Sequence, residues 1–130
     1  MSLTAKRTLT LSVARGDADS TRYLLSRSKV SAEFTYERSV AEEVAIAATS
    51  SRVVPLSGVM TTGRSVYLET TGTVTLTFSG AGGPITVGTP SSGKTGTFQM
   101  DYGNFTALTI ANPAASGDDV IVNYTICGDA

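Results

Sequence analysis

The sequence predicts an all-β chain, an antiparallel β-sandwich of jelly-roll or immunoglobulin-like type with about 8–11 short strands and little or no helix. Three observations carry this. Apolar residues alternate with small hydroxyl residues, most clearly in Thr73-Val74-Thr75-Leu76-Thr77-Phe78 and again over Thr8–Val13, Val30–Tyr36 and Val120–Ile126. Successive strand residues face opposite ways, so such a run buries one face and wets the other. Threonine is abundant, and its branched side chain suits a pleated, half-exposed surface better than a helix. Glycine, proline, asparagine and serine cluster between the alternating runs, where turns need them.

Taken in order, the expected strands are Thr8–Val13, Arg22–Ser26, Val30–Glu37, Val44–Thr49, Arg52–Leu56, Val66–Thr70, Val74–Phe78, Ile85–Val87, Thr97–Met100, Phe105–Ala111 and Val120–Ile126. The first two flank the turn Gly16-Asp17-Ala18-Asp19. Ser39-Val40-Ala41-Glu42 fits a helix capping box, so a short helix competes there. Strand is preferred, because Val44, Ile46 and Ala48 alternate and lead into Arg52-Val53-Val54-Pro55. The remaining strands are separated by Gly80–Pro84, Asp101–Asn104 and Asn112–Asp118.

At 130 residues the chain fits one domain. Residues 51–128 read as a compact sandwich core, and residues 1–50, more charged, as further strands or a hairpin arm. Ser65-Val66-Tyr67-Leu68 and Val120-Ile121-Val122 are apolar on both faces, so each needs cover beyond a single sandwich.

The composition bears on chemistry mostly by exclusion. There is no His, which removes His-based triads and the commonest metal ligand. One Cys, Cys127, cannot form an internal disulfide and reads as a structural thiol just past the last strand. Met1–Arg7 has no apolar signal-peptide core, and no run is long enough to cross a bilayer. A soluble protein made in a cytoplasm is expected, with no membrane partner.

The net charge of −1 is unevenly laid out. Residues 1–64 hold nine Lys/Arg against six Asp/Glu, giving +3, and residues 65–130 hold one against five, giving −4. This split suits head-to-tail contacts between copies and is not the strongly basic surface nucleic acid requires. The candidate interface residues are Arg22 and Arg27 from the basic half, Asp118 and Asp119 from the acidic half, and Tyr67.

Three motifs invite chemistry. Gly88-Thr89-Pro90-Ser91-Ser92-Gly93-Lys94-Thr95 matches the phosphate-loop pattern letter for letter. That loop needs a helix to follow, and Thr97–Met100 reads as a strand instead. Asp17-Ala18-Asp19 opens like a calcium loop, but Arg22 and Ser28 stand where Gly and Glu are required. Asp118 and Asp119 are adjacent in a turn before a strand, where side chains diverge. No catalytic, cofactor or metal residue is assigned. Tyr67 and Tyr102 are the residues able to stack on a sugar ring.

Val54-Pro55-Leu56-Ser57-Gly58-Val59, Val66–Thr70, Thr73–Phe78 and Phe105–Pro113 together resemble small β-sandwich accessory proteins of tailed-bacteriophage virions, over roughly residues 50–128. The resemblance implies a non-enzymatic, multicopy structural protein of head, neck or tail. It would contact copies of itself and other virion proteins, and would reach the virion by assembly in the host cytoplasm. The alternative is a glycan- or receptor-binding module of a phage tail.

Overall fold

The computed structural model describes residues 3–5, 8–14, 23–30, 34–79, 83–89, 93–101 and 103–130. The fold is all-β, with no helix among the described residues. The chain divides into two compact units, Met1–Tyr36 and Glu37–Ala130.

The first unit holds β1 (Leu3–Ala5), β2 (Thr8–Ala14), β3 (Tyr23–Val30) and β4 (Phe34–Tyr36). They form two two-stranded antiparallel sheets, β1–β4 and β2–β3. In the longer ribbon Leu9 is opposite Lys29, Leu11 opposite Arg27 and Val13 opposite Leu25. The expected single strand Val30–Glu37 is divided. Val30 ends β3 and pairs with Thr8, whereas Phe34–Tyr36 pair with β1, so the partner changes within that span.

The second unit contains β5 (Arg38–Ile46), β6 (Ser51–Val53), β7 (Thr62–Thr70), β8 (Val74–Phe78), β9 (Ile85–Val87), β10 (Gly96–Met100), β11 (Leu108–Ala111) and β12 (Val120–Asp129). One sheet has the order β10-β7-β12-β5 and the other β6-β11-β8-β9, all antiparallel. Every connection except β8–β9 passes from one sheet to the other. This is the strand order of an eight-stranded jelly roll.

The core lies between the sheets. Val66 and Leu68 of β7, Val122, Tyr124 and Ile126 of β12, Val74 and Leu76 of β8, and Leu108 and Ile110 of β11 are essentially sealed from solvent. Their spacing of two follows directly from strand geometry, which sends intervening Thr and Asn residues outward. Val54, Leu56 and Met60 on the β6–β7 connection fill one end of the core. Phe78 packs edge-on against Phe105, 5.0 Å between ring centres, and tilted against Phe98 at 6.1 Å.

Several boundaries differ from expectation, each for a local reason. β5 starts at Arg38 because it runs alongside β12 from Gly128↔Arg38 to Val120↔Ile46. That pairing also decides against the competing helix at Ser39. β5 stops at Ile46, where Ser50 N–H donates to the Ala47 carbonyl and Thr49 adopts φ 61°. Buried Asn112 anchors this turn, its amide donating to the Ile46 carbonyl at 3.0 Å. β12 continues to Asp129, so Cys127 is a buried strand residue instead of one lying past the strand. Between Cys127 and Gly128 the β7 register shifts, leaving Arg64 as the bulged residue. Its guanidinium holds Asp129 through Nε at 2.8 Å and a terminal nitrogen at 2.7 Å.

Candidate functional site

Within the second unit, Tyr67 lies apart from Asp118 and Asp119. Asp118 and Asp119 are exposed in the loop before β12. Tyr67 sits opposite Thr125 of β12, six residues beyond Asp119 and so about 20 Å along the strand. Arg27 belongs to β3 in the first unit, whereas Arg22 and Tyr102 lie outside the described residues.

The phosphate-loop match falls on the connection between β9 and β10. Lys94 is exposed, and strand β10 begins at Gly96 where an anion-binding helix would have to start. Packing explains the glycine at 96, because a Cβ there would lie 2.1 Å from the Gly88 carbonyl oxygen. The Asp17–Asp19 segment lies outside the described residues, among which no three His, Cys, Asp or Glu side chains gather to hold a metal.

Two features were not apparent from sequence. The first closes the gap between the sheets at β5 and β6. Glu42 lies on the inward row of β5, between Val40 and Val44, directly across from Tyr124. The buried Tyr124 hydroxyl donates to one carboxylate oxygen and Arg52 of β6 donates to the other at 3.0 Å. The Tyr124 hydrogen bond holds the Glu42 carboxyl below its ordinary range, with Arg52 acting in the same direction and burial opposing both. Burial, reinforced by the Glu42 carboxylate, pushes the Tyr124 phenol well up. The cluster satisfies a phenol the core would otherwise strand.

The second is a shallow groove of ≈ 330 Å³ on the outer face of the β10-β7-β12-β5 sheet. Ala41–Glu43 of β5, Tyr67 of β7 and Asn123–Thr125 of β12 line it. Tyr67, Thr125 and Ala41 form one cross-strand row; Asn123 and Glu43 belong to the next, which continues outside the groove to Glu69. The hollow exists because a large ring stands beside two small residues in the first row. Tyr67 is 39 % exposed, and its hydroxyl donates to Glu69 Oε1 at 2.5 Å, which holds the ring in place and raises the phenol pKa. Alternation had marked Tyr67 as outward-facing, but its row partners depend on strand pairing across the sheet.

No family model, curated protein or solved structure matches the chain.

Proposed function

We propose that this protein is a non-enzymatic structural component of a tailed-bacteriophage virion, present in many copies as a head-decoration, neck or tail part. It acts through contacts with copies of itself and with other virion proteins, and its assembly takes place in the host cytoplasm. The observation that carries this reading is the organisation of the first unit. Its described strands pair only as two two-stranded sheets, and such ribbons are marginal in water without cover. A segment of that kind gains stability when it is packed in an assembly.

Three further observations support the reading. The charge division follows the unit boundary: residues 1–36 carry six Lys/Arg against three Asp/Glu, and residues 37–130 carry four against eight. Opposite net charges of +3 and −4 on two units of each copy steer and orient association between copies. Val53 and Ile85, the exposed large aliphatic residues among the described part of the sandwich, sit on β6 and β9, the two edge strands of the second sheet. The jelly roll also recurs among viral capsid domains, an analogy of fold alone.

Native mass spectrometry of the full chain, over a range of concentrations and with the products of neighbouring genes, tests the proposal. Discrete oligomers or stoichiometric complexes are expected. A strict monomer that joins none of those products would refute it.

A further inference from the structure

We infer that the outer face of the β10-β7-β12-β5 sheet carries a binding site for a neutral saccharide, with the Tyr67 ring as its stacking platform. The site does not depend on the assembly reading, since it lies within one sheet of one copy. A pyranose presents an apolar C–H face and a rim of hydroxyl groups. The groove offers the complement of both.

Tyr67 supplies an exposed aromatic face, and its hydrogen bond to Glu69 fixes the ring before any ligand arrives. Preorganisation of this kind lowers the entropic cost of binding. Ala41 and Thr125 keep the floor beside the ring low, so a sugar ring can lie against it. Asn123 stands between Glu43 and Glu69 in the adjacent row, so an amide and two carboxylates point outward at the spacing of neighbouring strands. An amide donates and accepts, and a carboxylate accepts from two hydroxyls at once.

The charge selects among ligands. Glu42 and Glu43 line the groove, Glu69 holds Tyr67 beside it, and no Lys or Arg lines it among the described residues. Sialylated, sulfated or phosphorylated sugars are therefore disfavoured. A docked protein face is also a poor match, because of the two lining tyrosines Tyr124 is buried and Tyr67 alone is exposed, and interface cores favour several large apolar side chains. At ≈ 330 Å³ and open to solvent, the groove suits a short stretch of glycan held weakly. Weak sites gain strength when many copies are displayed together.

Saturation-transfer NMR on the full chain provides the test, with glucose, galactose and N-acetylglucosamine as neutral probes and sialyllactose as the anionic one, each at about 10 mM, the weak end of measurable affinity. At least one neutral sugar should receive saturation, strongest on the C–H protons of one ring face. Tyr67→Ala should weaken that binding by about tenfold or more, whereas Tyr67→Phe, which keeps the platform and loses the bond to Glu69, should bind more tightly than Tyr67→Ala and more weakly than the parent. Ala41→Gln, which fills the floor from an exposed position, should weaken it without touching the ring. The inference is overturned if no neutral sugar responds, if sialyllactose responds more strongly, or if both Tyr67→Ala and Ala41→Gln bind as the parent does. A monomer that binds sugar would refute the assembly proposal and leave this site standing.

Discussion

Gly63 and Phe105 make the most exacting test of the sandwich packing. A Cβ placed on Gly63 would lie 2.3 Å from Cζ of Phe105 and 2.4 Å from Cε2. Ordinary carbon–carbon contact is about 3.5–4.0 Å, so the ring would have to retreat by more than about 1 Å. It has little room to do so. Gly63 N–H donates to the Phe105 carbonyl at 2.7 Å, Phe105 N–H donates back at 3.3 Å, and the ring is buried against Phe78. Overpacking of this kind costs about 1–3 kcal/mol, and losing the edge-on ring contact adds about 0.5–1.5 kcal/mol. Gly63→Ala should therefore destabilise the sandwich by about 2–4 kcal/mol, equivalent to roughly 10–30 °C in Tm for a unit of this size. Urea unfolding followed by tyrosine fluorescence measures it, since the chain has five Tyr and no Trp. In a Phe105→Leu background the same substitution should cost at least about 1 kcal/mol less, because the two residues are in direct contact. A Gly63→Ala cost below about 0.5 kcal/mol, or additive effects in the double variant, would refute the packing argument.

Further outcomes follow from other sites. Thr49 is a β-branched residue at φ 61°, so Thr49→Asn should raise stability by about 0.5–1 kcal/mol in the same urea assay. Glu42, with its carboxyl held low, contributes stability that is present above the ordinary value of 4.5 and lost as pH falls through the folded-state value. A Glu42→Gln variant should accordingly show a flatter stability profile in acid. Tyr124, with its phenol raised, contributes stability that is full below 10.0 and lost as pH climbs above it, and Tyr124→Phe should flatten the alkaline limb. Cys127 is buried, so its labelling by a thiol reagent should track unfolding, and fast labelling of the native protein would contradict its placement.

Much of the second unit was legible because alternation marks strands directly. Val74–Phe78 and Ile85–Val87 match expectation to the residue, since each combines a clear period of two with glycine- or proline-bearing flanks. Ends were harder where pairing outweighs local pattern. Thr62–Ser65 join β7 although glycine and polar residues break the alternation there, because Gly128 and Asp129 pair with them. The capping-box letters at Ser39 are locally sound for a helix; the alternation of Val44, Ile46 and Ala48 favours strand, and the long pairing with β12 settles it. Strand order was not legible at all, because nothing in a run of Val and Thr names the run it will pair with. The site residues show the same limit. Tyr67 was visible as an outward aromatic, whereas Glu42 reads as an ordinary surface charge until Tyr124 is placed opposite.

The position of β12 has a bearing on how the protein is made. It is the last of the eight sandwich strands to be synthesised, yet it lies between β5 and β7 and pairs with both. Until residues 120–129 leave the ribosome, β5 and β7 lack the partner that joins them, and half of one sheet has no template. Closure of the sandwich must therefore follow translation of this segment, through contacts distant in sequence that form slowly. During that interval the nascent chain exposes apolar strand faces, which makes chaperone occupancy during synthesis an expected feature of its biogenesis.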